Sequence, residues 1–424
     1  MTVETLQCAD APIETMSCKP RDGNSGSGTV ATEWRTAKLV DISAKKHWAL
    51  NGGPFGSKLS RKHYSESGVP VIRGTNLSAD SKFSFDDFVY VSEEKADELR
   101  ANNAHPGDLI FTQRGTIGQV GLIPFDSPIP RFVISQSQMK LTVDPELVDA
   151  LFLYYFFSSA DTVQKIQNLA FAAGVPHINL DILRKFEAPV PPLPVQKRIA
   201  GILSAYDDLI ENSQRRIKIF EEMARALYRE WFVHFRYPGH ENIPLVPSPL
   251  GNIPQGWEVK KLGDVAELNY GKSLKKESRR DGVYPVYGSS GIVGQHDTAL
   301  VNGPGIIVGR KGNVGSVFWC NDNFFVIDTA YFVTSLLPLR YLFYVLQTLN
   351  FINSDAAVPG LSRNQAYTLE ILVPPVYLLK KFCELADFFE RQSDTLKCQI
   401  QNLCQTRDLL LPCLLSGQIN LPMN

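Results

Sequence analysis

The chain has 424 residues, of which 44% are hydrophobic, and its formal net charge is −1. This length predicts two or three domains, and the near-zero charge excludes a protein coated uniformly in positive charge while permitting a local basic face. The longest apolar run, 151–157, is too short to span a bilayer, and residues 1–30 contain no signal-peptide core. We therefore expect a soluble protein of the cytoplasm.

Residues 1–33 differ from the rest of the chain, because they are polar and become rich in Gly and Ser between Arg21 and Thr29. We expect this segment to be a disordered tail. From Trp34 onward, short β-rich runs such as 69–72 are separated by turn residues, whereas 145–168 and 339–353 have a helical pattern. Such a mixture favours an α+β fold over regular βαβ alternation.

A long helix is predicted after the dipeptide Pro191-Pro192. From 195 to 232 the chain contains no proline and no glycine after Gly201, and apolar residues recur at intervals of three and four. In the second half, 382–414 holds a heptad spacing with polar residues at two seam positions. Narrow stripes of this kind favour pairing, so we predict an antiparallel coiled coil between the two helices. The alternative is that each helix covers only its own domain.

The sequence repeats itself with its landmarks in the same order. Trp34–Leu39 and Trp257–Leu262 share the pattern Trp-x3-Lys-Leu. Three further pairs follow: Arg114–Gly118 with Lys311–Gly315, Val175-Pro176 with Val358-Pro359, and Val190–Pro192 with Val373–Pro375. Two long copies predict two similar domains rather than a solenoid array.

Catalytic motifs are missing from both copies. Gly271-Lys272-Ser273 resembles the end of a phosphate-binding P-loop, but Ala266 stands where the first glycine is required. The histidines and cysteines have no metal-ligand spacing, and without a C-x-x-C pair we expect reduced thiols. The sequence therefore predicts no catalytic residue, no bound cofactor and no metal site in this chain.

One cluster of positive charge lies between Lys272 and Arg280. It holds three lysines and two arginines against a single acid, Glu277. Such a segment either contacts nucleic-acid phosphates or is a solvated loop. Gly-rich polar loops such as Gln113–Gly115 and Gly288–Gly291 carry groups that hydrogen-bond base edges, and their glycines let the backbone approach phosphates.

The centre of the chain carries a family resemblance. The run Ala226–Glu241, ALYREWFVHFRYPGHE, followed by Gly251–Trp257, GNIPQGW, resembles the central region of type I restriction-modification specificity subunits. The resemblance extends from Trp34 to Asn420 and includes the sequence LLSGQI at 414–419. Only the leading segment falls outside it.

The resemblance implies a function and a set of partners. In such subunits two target recognition domains each read one half of a split, asymmetric sequence in double-stranded DNA, and the long helices hold them at a fixed separation. The chemistry belongs to partner chains: two modification subunits bind S-adenosylmethionine and methylate adenine, and two restriction subunits use ATP and Mg²⁺. The chain itself would be a non-catalytic subunit of a phage-defence enzyme.

The repeat and the resemblance together set the expected domain limits. These are a tail at 1–33, a first target recognition domain at 34–190, a central conserved helix at 191–237, a linker and second target recognition domain at 238–372, and a distal conserved helix with the C-terminal tail at 373–424.

Candidate DNA-binding residues are polar, basic or aromatic side chains in the Gly-rich loops and the basic segment. In the first domain they are Lys58, Arg61, Lys62, Arg73, Asn76, Gln113, Arg114, Gln136 and Gln138. In the second domain they are Tyr270, Lys272, Lys275, Lys276, Arg279, Arg280, Tyr287, Ser289, Arg310, Lys311 and Asn313.

Two rival functions belong to other classes. A self-contained nucleotide-dependent DNA hydrolase or methyltransferase is opposed by the broken P-loop and by the lack of an Asn/Asp-Pro-Pro-aromatic methylation motif. A coiled-coil scaffold with two protein-binding heads is the other alternative. A purified assembly that never retains a defined duplex would favour the scaffold.

Overall fold

The computed structural model describes residues 34–77, 81–172, 177–351 and 360–419. It divides the chain into two compact units, of which unit 1 joins Met1–Asn212 with Cys398–Asn424 and unit 2 is Ser213–Lys397. The predicted tail 1–33 and the repeated dipeptides Val175-Pro176 and Val358-Pro359 lie outside the described residues.

Unit 1 contains three sheets within its described residues. Its strands are β1 (Arg35–Lys38), β2 (Leu50–Gly52), β3 (Val69–Ile72), β4 (Val89–Val91), β5 (Asn103–Ala104), β6 (Leu109–Thr112), β7 (Val120–Leu122), β8 (Phe132–Ile134), β9 (Gln138–Leu141) and β10 (Glu187–Val190). The sheet orders are β1-β10, β2-β9-β6-β7 and β4-β3-β8-β5. Strands β3 and β8 are parallel, and the other neighbours are antiparallel.

Helices cover these sheets. They are α1 (Glu93–Glu98), α2 (Ala150–Ser158), α3 (Ala160–Ala172), α4 (Leu180–Lys185) and the first part of α5 (Leu193–Tyr228). The predicted helix 145–168 is thus two helices, because Ser159 between them has an extended backbone with ψ 140°. Phe111 of β6 meets Phe157 of α2 with ring centroids 4.9 Å apart. Both rings belong to the main core of unit 1, which also holds Ile199 of α5.

Unit 2 repeats this plan. Its strands are β11 (Leu245–Ser248), β12 (Gly251–Pro254), β13 (Glu258–Lys261), β14 (Ala266–Tyr270), β15 (Tyr284–Gly288), β16 (Gly291–His296), β17 (Gly305–Gly309), β18 (Val317–Cys320), β19 (Phe325–Val326), β20 (Ala330–Ser335) and β21 (Glu370–Val373). Its helices are the last part of α5, then α6 (Leu339–Thr348), α7 (Arg363–Tyr367) and most of α8 (Val376–Leu415).

The sheet orders confirm that the sequence repeat is a structural repeat. The order β14-β20-β17-β18 in unit 2 matches β2-β9-β6-β7 in unit 1, and β13-β21 matches β1-β10. A hairpin extended by a parallel strand also recurs, as β4-β3-β8 and β16-β15-β19. The predicted α+β class is confirmed, because helices and antiparallel strands do not alternate regularly in either unit.

Helices α5 and α8 pair within each unit. In unit 2 the ring of Phe220 lies opposite Phe389, whereas Tyr228 lies opposite Phe382, so the two helix segments run antiparallel. In unit 1, Arg407 of α8 donates to Asp207 of α5 over 2.8 Å. Each helix therefore serves both units, contrary to the alternative that it covers one domain alone.

The described cysteines include both free thiols and a bonded sulfur. Cys320 and Cys383 are thiols, but Cys398 is disulfide-bonded, so the expectation of reduced thiols is wrong at that position. No group of His, Cys, Asp or Glu in the described residues is arranged to hold a metal ion. None of the described helices is long and apolar enough to cross a membrane.

Candidate nucleic-acid interface

The same glycine-containing loop joins equivalent strands in both units. This Gly loop comprises 113–119 between β6 and β7, and 310–316 between β17 and β18. In unit 1 its glycines, Gly115 and Gly118, both have φ 97°, and in unit 2 the equivalent Gly312 and Gly315 have φ 80° and 76°. Side chains rarely tolerate this left-handed region, so the loop shape requires glycine at both positions.

Backbone hydrogen bonds hold the two Gly loops in the same way. The carbonyl of Gln113 accepts from the N–H of Ile178 over 3.2 Å, and the carbonyl of Arg310 accepts from the N–H of Leu361 over 2.8 Å. Next along the chain, Arg114 forms an isolated bridge with His177, and Lys311 forms one with Gly360. In each unit the bridging partner directly precedes the residue whose N–H donates to the loop. Arg114 and Lys311 therefore occupy equivalent positions, and both are exposed.

In unit 1 the polar loops meet around the segment 135–138. The N–H of Gln113 donates to the carbonyl of Ser137 over 2.7 Å, and the N–H of Gly53 donates to the carbonyl of Gln138 over 2.8 Å. The side-chain amide of Gln136 donates to the carbonyls of Gly56 and, over 2.7 Å, Leu59. Three loops distant in sequence therefore form one connected surface.

The basic candidates of unit 1 reach solvent at this surface. Lys58, Arg61, Lys62 and Arg114 are exposed, and none of them forms an ion pair with another described residue. Their charge is therefore available to an external anion. Phe55, which is not among the candidates predicted from the sequence, is 87% exposed in the same loop. Its apolar character alone gave no signal for a DNA contact.

Other candidates in unit 1 are buried or hydrogen-bonded to the backbone beneath the surface. Asn76 is fully buried, where its side-chain oxygen accepts from the N–H of Arg73 over 2.9 Å and its amide donates to the carbonyl of Asp86 over 2.8 Å. The guanidinium of Arg73 donates to the carbonyl of Asp87. Gln138 is also buried. Because these groups serve the fold, we leave Asn76 and Gln138 out of the proposed contact set.

In unit 2 the basic segment 272–280 contains arginines that are bound to neighbouring residues and lysines that form no ion pair among the described residues. Arg279 donates to the carbonyl of Val293, and Nε of Arg280 lies 2.9 Å from the carboxylate of Asp297. These two arginines fasten the segment to β16 and the residue after it. The lysines of the segment are exposed and form no ion pair among the described residues; they are Lys272, Lys275 and Lys276.

Tyr270 lies at the end of β14 against two arginines. The Cζ atom of Arg310 is 4.8 Å from the Tyr270 ring centroid, and that of Arg363 is 4.5 Å from it. The neighbouring Tyr331 is buried, which raises its pKa to about 12, so it is neutral at physiological pH. Arg363 is not among the candidates predicted from the sequence, because it lies far along the chain from the other two residues.

The remaining candidates of unit 2 differ in how far their side chains are buried. Tyr287 packs beside Phe324, with ring centroids 5.9 Å apart, and burial raises its pKa. Ser289 is also buried, and its carbonyl accepts from the Ser316 hydroxyl over 2.6 Å. Asn313 is exposed on the Gly loop. We therefore keep Asn313, and leave out Tyr287 and Ser289.

Comparison with known proteins agrees with this architecture. A family model described as the type I restriction modification DNA specificity domain matches residues 32–221 and 254–402. The type I restriction enzyme MjaIX specificity subunit of Methanocaldococcus jannaschii is 24% identical, and the match covers 92% of this chain and 95% of the relative. The EcoprrI specificity subunit of Escherichia coli is 21% identical, over 87% of this chain and 90% of the relative.

A solved structure supports the same fold. The crystal structure of the type I restriction-modification system S subunit from M. genitalium has a TM-score of 0.56 and 19% sequence identity, covering 91% of this chain and 97% of that one. The family match includes most of both structural copies. The chain therefore belongs to the type I restriction-modification DNA specificity family, as a non-catalytic DNA-recognition subunit.

Proposed function

We propose that each unit reads one half of a split DNA target through the surface around its Gly loop. The observation that carries this proposal is the repeated loop, which presents Arg114 in one unit and Lys311 in the other on the same backbone geometry. Exposed, unpaired cations flank the loop in both units. Basic side chains position a protein on phosphates, and neighbouring polar groups read base edges.

The proposed contact set contains the exposed candidates that form no ion pair among the described residues, together with Gln113 and Arg310, the first residue of each Gly loop. In unit 1 it contains Lys58, Arg61, Lys62, Gln113, Arg114 and Gln136. In unit 2 it contains Tyr270, Lys272, Lys275, Lys276, Arg310, Lys311 and Asn313. Arg73, Arg279 and Arg280 hold the neighbouring loops in place.

We assign the target recognition domains to 34–190 and 238–372, with the conserved helices at 191–237 and 373–424. The repeat supports these limits, because equivalent strands β10 and β21 end at Val190 and Val373, just before the long helices. On this assignment α5 and α8 are the spacer that keeps the two reading surfaces apart.

The proposed partners supply the chemistry. Two modification subunits would bind S-adenosylmethionine and methylate adenine, and two restriction subunits would use ATP and Mg²⁺ to move along and cut DNA. This assignment is supported by the names of the relatives, which are specificity subunits of restriction enzymes. Because the substrate is cellular or incoming DNA, we place the assembly in the cytoplasm.

The function is tested by comparing the chain alone with the assembled enzyme. We expect no methyl transfer from labelled S-adenosylmethionine by the isolated chain, and sequence-specific methylation when it is co-expressed with its modification subunit. Methylome sequencing of the host identifies the two half-sites. Methyl transfer by the chain alone would contradict the assignment, and an assembly that never retains a defined duplex would support the scaffold alternative.

The lysines of the basic segment provide a second prediction. Replacing Lys272, Lys275 and Lys276 together with glutamine is expected to weaken DNA binding by the assembled enzyme. The slope of log affinity against log salt should become shallower by about one unit for each phosphate that a lysine no longer neutralises. Titration of duplex DNA at several salt concentrations measures this slope.

A control with the same type of substitution at a single ion-paired lysine is available on β13. Lys260 pairs with Glu258 over 2.8 Å, so Lys260→Gln removes a lysine whose charge is already compensated. We expect the control to bind as the unmodified chain does. Unchanged affinity and slope in the triple variant would identify the segment as a solvated loop.

A further inference from the structure

Three separate elements of unit 2 build a cluster with two positive charges on one aromatic ring. Tyr270 ends β14, Arg310 follows β17 and Arg363 begins α7. The two guanidinium carbons lie 4.8 and 4.5 Å from the same ring centroid. Tyr270 is 47% exposed and both arginines are partly exposed, so the cluster reaches solvent.

This cluster lacks a negative partner. No carboxylate of the described residues forms an ion pair with Arg310 or Arg363. Each guanidinium instead donates one N–H to a backbone carbonyl, Arg310 to Asp328 over 3.1 Å and Arg363 to Leu268 over 3.3 Å. Because a guanidinium has five N–H donors, most donors of both groups remain available. Two like charges beside one ring repel each other, so an anion would stabilise the arrangement.

The surroundings indicate which anion would bind. Lys272 lies two residues after Tyr270, and Lys311 directly follows Arg310, and both lysines are exposed. The cluster is therefore continuous with the proposed DNA-reading surface. Its guanidinium groups are already held by the ring and by backbone carbonyls, so little side-chain freedom remains to be given up on binding.

Unit 1 shows that the fold does not require this cluster. At the position equivalent to Arg310 it has Gln113, whose carbonyl makes the same backbone hydrogen bond. Its helix α4, the counterpart of α7, begins with Leu180. The pair of arginines is therefore specific to the second copy of a shared architecture.

We propose that Arg310 and Arg363, held against Tyr270, bind one backbone phosphate of the half-site that unit 2 reads. Planar guanidinium groups suit phosphate because they donate parallel hydrogen bonds to its oxygens. This inference rests on the proposed function, and it adds Arg363 to the contact set. The cluster orients DNA in unit 2, and base choice belongs to the neighbouring loops.

The test uses the assembled specificity and modification complex and a duplex that carries its target. We expect Arg363→Ala to weaken binding of target and unrelated duplexes alike. The double variant Arg310→Ala with Arg363→Ala removes both charges from the phosphate, and it should make the salt slope shallower by about 0.9 units. Between 50 and 200 mM salt, the fall in affinity should therefore be roughly three- to fourfold smaller than in the unmodified complex. Arg363→Lys should retain the slope, because it keeps the charge.

A matched control and a chemical probe sharpen this test. Arg236→Ala removes an arginine that already pairs with Glu230 over 2.6 Å, and it should leave the slope unchanged. Neutral methylphosphonate groups are introduced singly along the second half-site. At one phosphate, the losses of DNA affinity caused by the methylphosphonate and by Arg363→Ala should not add, because both remove the same contact. Thermal unfolding of each variant separates a defect in binding from a defect in folding.

Each contrary result has a distinct meaning. An unchanged slope and affinity in a folded Arg363→Ala complex would overturn the phosphate assignment, as would weaker binding confined to the cognate sequence, which indicates base reading. Stabilisation by inorganic phosphate that depends on Arg363, without any phosphate-specific effect on DNA, would assign the cluster to a free anion instead. Failure of the unmodified complex to bind its target would contradict the proposed function itself.

Discussion

Replacing Phe382 with alanine is expected to lower the free energy of unfolding of unit 2 by about 3–5 kcal/mol. The Phe382 side chain is fully buried. Its ring centroid lies 4.9 Å from that of Phe232 and 5.7 Å from that of Tyr344, both nearly perpendicular to it. Because these rings belong to the central segment after α5 and to α6, the substitution opens a cavity where three elements of unit 2 meet.

The adjacent face of α8 provides the control. Phe388 is 47% exposed on the same helix, so Phe388→Ala removes an aromatic ring without leaving a deep cavity. We expect it to cost less than about 1 kcal/mol. Chemical denaturation measures both changes, and the unfolding temperature of unit 2 should fall by roughly 6–20 °C for Phe382→Ala. Equal effects of the two substitutions would contradict the packing described here.

The long helices were predictable because their signal is local and periodic. Apolar spacing over 195–232 anticipated α5 and the π-helical segment Arg229–Val233 that follows it. A heptad stripe likewise anticipated α8, which spans Val376–Leu415. The prediction of one helix over 145–168 was less accurate, because a single residue with an extended backbone, Ser159, divides it into two helices.

The α+β class was predictable from the sequence, but the order of the strands within each sheet was not. Their strands are two to six residues long, so periodicity over such runs says little about which strands are neighbours. The parallel pairs β3–β8 and β15–β19 each join strands that are distant in sequence. The repeat could nevertheless establish from sequence that both units share one plan, whatever that plan was.

The candidate site shows the limit of reading residue types alone. Lys58 and Lys272 have the exposure expected of basic loop residues, whereas Asn76 and Tyr287 are buried by contacts that only the folded chain creates. The cluster around Tyr270 adds a different limit. Arg363 joins it from a later helix, and no local pattern connects the two positions.

Inserting one heptad into each long helix is expected to lengthen the gap between the two recognised half-sites. The insertions belong between Asn212 and Ser213 in α5 and between Lys397 and Cys398 in α8, where the chain passes from one unit to the other. Contacts internal to each unit, such as Arg407 with Asp207, then stay intact. Seven residues lengthen a helix by about 10 Å.

With base pairs about 3.4 Å apart along the duplex, the unspecified gap should grow by on the order of three pairs while both half-sites stay the same. Three pairs also rotate the second half-site by nearly a third of a turn, so we expect lower activity unless the supercoil follows this rotation. Methylome sequencing of a host that carries the variant and its modification subunit measures the gap.

A heptad inserted in only one helix is the matched control. Because it shifts α5 against α8, it should destroy pairing and activity without producing a new gap. An active double variant that keeps its original gap would show that these helices do not set the spacing. A longer gap with unchanged half-sites would mean that base reading resides in the two units and that distance is measured by the paired helices between them.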